Sequence, residues 1–316
     1  MSLTSSIGIG GEAAVERVEK QLKGGRADVT GRIFQILLQL ALGLSVLVLV
    51  VLFVDVFTTG TGVLTSRGEE FLGGGLRTSA EKAGVFQAIR GTFWIGIFTV
   101  VLAFPIGIAS AVYLEEYATK GRLARFIDLN IRNLAGVPSI VYGILGLTIF
   151  VQRFEGFTGG RSLMAAGITL AILVLPIVII TSAEAVRAVP SALREAGYGV
   201  GATRWEVTRT QVLPYALPGI ITGTVLSLAR AIGEAAPLLL CGAVTGLLPG
   251  QEGLVDPSQL TERFTALPVV IAEWSRTPRE GFDQSAAAAI IVMLGIVLAM
   301  NTFAIILRTR FEKKRN

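Results

Sequence analysis

The sequence predicts an all-α membrane protein built on six transmembrane helices, and three observations carry that prediction. Hydrophobic residues make up 52% of the 316-residue chain and charged residues only 16%, with a mean hydropathy of +0.66, a composition too apolar for an ordinary soluble domain. Six apolar stretches approach or exceed the roughly 20 residues that cross a hydrocarbon core about 30 Å thick. Lysine and arginine gather in alternate connections, which gives the bundle a direction.

In chain order, residues 1–32 read as a hydrophilic cytoplasmic tail. Glu12, Glu16, Glu19 and Asp28 are mixed with its bases, and no short apolar core with a small-residue cleavage site follows. Its GEAAVERVEKQL portion can form a short helix in water or at the headgroups. The membrane domain is expected over 33–307, with spans at 33–57, 91–114, 134–151, 163–183, 218–244 and 286–307. Pro105 and Pro176 place kinks in the second and fourth. The third is short and holds Pro138, which neighbouring helices can accommodate. The hydroxyls of Ser139 and Tyr142 beside that proline are expected to donate to freed carbonyls or to a neighbour rather than to line a pathway.

Six spans put both termini on one side. Arg17, Lys20, Lys23, Arg26 and Arg32 precede the first span; Lys120, Arg122, Arg125 and Arg132 lie between the second and third. Arg187, Arg194, Arg204 and Arg209 lie between the fourth and fifth, and a basic segment, 308–316, ends the chain. The opposite connections hold about half as many bases in a comparable length, so the positive-inside rule places both termini in the cytoplasm. The net charge of +5 then reads as orientation and contact with anionic membrane lipid rather than as nucleic-acid binding. The chain has no histidine and one cysteine, Cys241, which excludes imidazole catalysis, His/Cys zinc sites and an internal disulfide.

The cytoplasmic connection 184–214 is polar but patterned. Ser191 after Pro190 can cap a short helix that Gly199 or Gly201 ends. Thr203-Arg204-Trp205-Glu206 has the T-x-x-E spacing of a capping box for a second helix, which Leu213-Pro214 is expected to stop. Two helices tethered so close to a bilayer cannot dock in a DNA groove. The spacing Glu195-Ala196-Gly197, Gly201 six residues after the glutamate, then Leu213-Pro214, resembles the EAA loop of ABC importer permeases. Gly197 and Gln211 depart from that pattern. Glu12-Ala13-Ala14 and Glu234-Ala235-Ala236 share the three letters, but Val18 and Leu240 stand where the glycine belongs. In that family the loop docks on a separate ATPase, which implies coupling roles for Glu195, Ala196, Gly201, Leu213 and Pro214. The chain carries no G-x-x-x-x-G-K-[ST] segment, so the resemblance assigns ATP and magnesium to the partner and no cofactor to this chain.

In the fifth span Gly219, Gly223, Ser227, Ala231 and Ala235 recur at every fourth position, a small-residue seam for close helix packing. Arg230 falls about twelve residues into that span, roughly 18 Å from its start, where an arginine costs about 2.5–3.5 kcal/mol unless it has a partner or a water-filled path. Glu234, at i+4, can reach it. Two readings stay open: a self-neutralising pair that fixes packing, or a guanidinium that meets an anion in a central pathway.

NLAGVPSIVYGILGL at 133–147, RAIGEAAPLLL at 230–240 and FTALPVVIAEWSRTP in the last outer loop resemble the permease subunits of phosphate importers, PstA type, with the likeness running from about residue 32 to 310. That resemblance implies a type I ABC importer permease (MetI-like) bundle in the cytoplasmic membrane of a bacterium or archaeon. It also implies a PstC-type second permease, an ABC ATPase dimer, an extracytoplasmic phosphate-binding protein and inorganic phosphate as cargo. The outer loop 245–285 would help receive the binding protein, with Trp274 at headgroup level. An importer for another oxyanion such as sulfate or molybdate, or an ion-coupled secondary transporter, remain the alternatives.

Overall fold

The computed structural model describes residues 29–119, 121–246 and 260–313, with the backbone alone described at 29, 312 and 313. The expected helix at 11–22, the Glu12 triplet, residues 247–259 of the outer loop and residues 314–316 lie outside the described residues.

Every described element is helical: α1 (Val29–Gly73), α2 (Phe86–Val112), α3 (Arg122–Ala135), α4 (Ser139–Gly146), α5 (Glu155–Thr158), α6 (Leu163–Arg187), α7 (Ser191–Gly199), α8 (Arg204–Val207), α9 (Leu213–Ile232), α10 (Ala236–Leu240), α11 (Leu267–Trp274) and α12 (Phe282–Lys313). Wider π turns extend α2 over Tyr113–Tyr117 and α4 over Leu147–Arg153, and join α8 to α9 over Thr208–Val212. Five helices among the described residues are long and apolar enough to cross a membrane: Thr30–Gly73, Phe86–Tyr117, Leu163–Arg187, Arg204–Ile232 and Phe282–Phe311. The candidate sixth span is a bent pair, Arg122–Ala135 and Ser139–Arg153, meeting at 96°. The break falls at Pro138, which cannot donate a backbone hydrogen bond. The third span expected at 134–151 falls within this bent pair, its main helical part beginning at Ser139. Its Tyr142 hydroxyl donates to the Leu134 carbonyl at 2.9 Å, tying α4 back across the bend as the proline argument anticipated. Helices α2 and α6 run on through Pro105 and Pro176.

The described residues divide into two compact units, one ending at Asp55 and the other beginning at Val56. In the first, residues 33–54 of α1 present exposed leucine, valine, isoleucine and phenylalanine side chains, as suits a helix whose solvent is lipid.

In the second unit α6 is the central helix. Leu170, Val174 and Val178 on it are fully buried and pack with Ile95 of α2, Ala231 of α9 and Leu238 of α10. The small-residue seam serves this packing. A Cβ on Gly223 would lie 2.5 Å from Thr181 Cβ, and one on Gly219 2.9 Å from Ala185 Cβ. Ser227 and Ala231 are buried further along the same helix.

A second core joins the end of α1 to α11 and the start of α12. Trp274 is 3% exposed, with its ring centroid 6.3 Å from Phe71 and 5.9 Å from Phe282. Its indole fills this core, because α11 packs on α12 inside what sequence alone read as a loop. Arg67 interrupts α1 with φ −144° and ψ 35° and donates to the carbonyls of Ala83 at 2.8 Å and Ala80 at 2.5 Å. A side-chain donor there satisfies acceptors of the following loop that would otherwise be stranded.

Candidate functional site

The segment from Pro190 to Pro214 forms a small folded unit with its own apolar base. Pro190 occupies the position before α7 and no side chain caps the helix, so Ser191 is its first residue and not its cap. The helix ends at Gly199, and Gly201 adopts φ +83°, the left-handed region that glycine enters without steric cost. This turn lets the Gly201 N–H reach the Tyr198 carbonyl at 3.0 Å and the Ala202 N–H reach the Gly197 carbonyl at 3.2 Å. The capping box forms as its spacing indicates: the Glu206 N–H donates to Thr203 Oγ1 at 3.3 Å, and the Thr203 N–H donates to Glu206 Oε2 at 2.7 Å.

Beneath the two helices Val186, Val189, Val207, Val212, Ala216 and Ile220 make a separate cluster, with Leu193 and Leu213 packed against it. Gly197 lies directly on this base. A Cβ there would come within 2.7 Å of Val207 Cγ2, which accounts for glycine where the EAA pattern has alanine. Glu195 and Ala196 face away and are exposed, as is Gly201.

Leu213-Pro214 does not stop the second helix. The π turn at Thr208–Val212 hands the chain into α9, with the Leu213 N–H bonded to the Thr208 carbonyl and Pro214 within the first turn. A proline is tolerated there because first-turn N–H groups lack α-helical partners in any case. The fifth apolar helix accordingly runs from Arg204 to Ile232 rather than over 218–244, and Ala236–Leu240 form the separate short α10.

Three consecutive residues of the π turn that ends the second span hold this unit, and sequence reasoning missed all three. Glu115 pairs with Arg187, at the end of α6. Glu116, 7% exposed, accepts from Arg194 Nη2 at 2.7 Å and Nε at 3.0 Å. Tyr117 lies under the Arg204 guanidinium, 5.6 Å from its ring centroid, within cation–π range. Arg194 also donates to the carbonyls of Val186 at 2.9 Å and Val189 at 2.6 Å, at and just beyond the end of α6, where a cation is favoured. The available signal was the acidic pair in YLEEY, closing an apolar span opposite an arginine-rich connection.

Arg230 and Glu234 sit elsewhere. Counting from Arg204 or from Leu213, Arg230 lies in the last turn of its helix, so the mid-helix depth inferred from a start at Pro218 is corrected. Its side chain is 62% exposed against 19% for Glu234, and Nε stands 3.8 Å from Oε1, too long for a hydrogen bond. Leu226, one turn earlier, is 63% exposed. Helix α9 thus carries an open stripe with a loosely held arginine at its end, bordering the small-residue seam that packs on α6. The Glu234-Ala235-Ala236 triplet marks only the break between α9 and α10.

Residues 103–316 match the family described as binding-protein-dependent transport system inner membrane component. The phosphate transport system permease protein PstA 1 of Mycobacterium tuberculosis is 34% identical over 233 residues, covering 73% of each chain. The phosphate transport system permease protein PstC of Mesorhizobium japonicum is 31% identical over 257 residues, covering 74% of this chain and 75% of that one. Among solved structures, a chain of the MetNI methionine ABC transporter in an inward-facing conformation superposes with a TM-score of 0.55 at 19% identity, covering 72% of this chain and 94% of its own, a likeness of fold. The helical bundle and the sequence match agree: this protein belongs to the binding-protein-dependent transport system inner membrane component family, and is a non-catalytic, multi-pass ABC-transporter permease subunit of the inner membrane.

Proposed function

We propose that this chain is the PstA-type permease of an ATP-driven importer for inorganic phosphate, with both termini in the cytoplasm. In this reading α7 presents Glu195 and Ala196 to a groove on an ABC ATPase dimer. The Gly201 turn and the Leu213-Pro214 entry hold that helix in place. The observation that carries the proposal is the exposure of Glu195 and Ala196 on a helix held from beneath by an apolar base and by the Arg194–Glu116 pair. A segment built to be gripped needs such a rigid underside and a free outer face.

The open stripe on α9 forms half of the translocation path, facing a PstC-type second permease. Arg230 offers planar donors to phosphate oxygens, and Glu234, near but not hydrogen-bonded, holds the guanidinium when no anion is present. The names of the PstA and PstC relatives support phosphate as cargo. An arginine alone does not count the oxygens or protons of an anion, so sulfate and molybdate are the competitors to test.

The test is reconstitution of this chain with its ATPase, the second permease and the extracytoplasmic binding protein in vesicles. ATP-dependent uptake of labelled phosphate that excess sulfate does not suppress is the expected result. Uptake suppressed equally by sulfate would overturn the phosphate assignment, and uptake driven by an ion gradient without ATP would overturn the coupling assignment.

A further inference from the structure

Helix α3 has no place along the axis of a span. It meets α4 at 96°, and none of its fourteen residues is buried, although one arc of it is apolar. Part of that arc is used by the protein itself: Ile131 packs against the cluster of Ala111, Ile179 and Ala183. The next arc is open. Leu123 is 72% exposed, Ile127 37%, Leu134 47% and, at its edge, Phe126 64%. Asp128 and Arg132 pair at 3.0 Å on the far side, whereas Arg122 and Arg125 make no ion pair among the described residues. The helix begins just after the π turn whose Glu115 and Glu116 hold Arg187 and Arg194, so it lies at the end of the bundle that carries α7.

We propose that α3 lies flat in the headgroup layer on the α7 side of the membrane, and that Arg122 and Arg125 bind anionic phospholipid headgroups. A helix roughly perpendicular to the following span, with one apolar arc divided between protein and open surroundings and a basic arc that is polar apart from Leu129, has the form of an interfacial helix. Beyond the bend α4 exposes Ile140, Val141 and Ile144, side chains that belong in hydrocarbon, so the apolar arc of α3 meets the bilayer where its acyl region begins. The Arg122 and Arg125 guanidinium groups complement an anionic leaflet, to which each base near the surface adds about fivefold in affinity.

The test uses the full transporter complex, with Cys241→Ser removing the native thiol and a fluorophore placed on Phe126→Cys. Vesicles of phosphatidylcholine carry either spin-labelled phosphatidylglycerol or spin-labelled phosphatidylcholine at the same fraction. Both lipids should quench the fluorophore, phosphatidylglycerol about fivefold or more strongly. Arg122→Gln together with Arg125→Gln should abolish the difference, and the paired Arg→Lys variant should retain it. Equal quenching by the two lipids in the parent overturns the headgroup assignment. Absence of quenching by either, which is the result if a second permease or an ATPase covers this face, overturns the membrane placement.

Discussion

The Arg194 guanidinium contacts Glu116 Oε1 across 78 residues of chain and donates at the same time to two carbonyls at the end of α6. One side chain therefore joins the end of the second span, the end of the fourth and the helix proposed to meet the ATPase. Replacing Glu116 by alanine leaves a largely buried cation without its counter-charge, at a cost of roughly 3–5 kcal/mol. Cys241 is the single cysteine and is buried, so the temperature at which a maleimide dye reacts with it measures the loss. An unchanged reaction temperature would show that the pair is dispensable.

Glu195 lies on the exposed side of α7 and makes no contact with the apolar base. Glu195→Lys should leave the thermal reactivity of Cys241 within about 0.5 kcal/mol of the parent, as surface changes do. In the reconstituted complex it should abolish phosphate uptake while the ATPase continues to turn over. Uptake at the parental rate per ATP would remove Glu195 from the coupling contact.

Gly201 holds φ +83° in the turn between α7 and α8. A β-branched residue there costs about 1–2 kcal/mol, whereas asparagine enters the left-handed region readily. Gly201→Val should lower uptake and Gly201→Asn should retain most of it. Equal activity of the two would show that the turn does not govern presentation of α7.

Gly223 allows α9 to lie against α6 at Thr181. Gly223→Leu forces side-chain atoms into Thr181 and should destabilise by about 1–3 kcal/mol or more, read from Cys241 reactivity. A leucine tolerated without change would mean that the seam has slack that the 2.5 Å approach does not suggest.

Arg230 is exposed and weakly paired, so Arg230→Gln should not affect folding. It should reduce phosphate flux at least about tenfold, the consequence of losing a charge-assisted hydrogen bond of roughly 1.5 kcal/mol. Replacing Arg230 and Glu234 together should not restore flux. Full flux in the double variant would return the pair to a role in packing.

What the sequence reveals about this protein follows the range of the interactions concerned. The capping box at Thr203 and Glu206, the Gly201 turn and the stripe through Gly219 and Gly223 are all set within a few residues, and each is present in the structure. The same local rules misplace the end of the helix at Leu213-Pro214, because a π turn upstream absorbs the proline, and they read the region around Trp274 as loop because its partners Phe71 and Phe282 come from other elements. Glu116 and Arg194 are invisible to periodicity for the same reason: neither has a local pattern that names the other. The 96° bend at Pro138 shows the intermediate case, where the proline marks a break and tertiary packing sets its angle.

The locked contact between α9 and α6 has a mechanical consequence. Twenty residues from Leu213 to Ile232 make a rod about 30 Å long at 1.5 Å rise per residue. Swinging it by about 10° from the Leu213 end would carry its far tip roughly 5 Å on that length. Since Gly219 and Gly223 bring α9 close against Ala185 and Thr181, a swing of α9 would have to carry α6 with it, and a small stroke at one end of the pair would be magnified at the other.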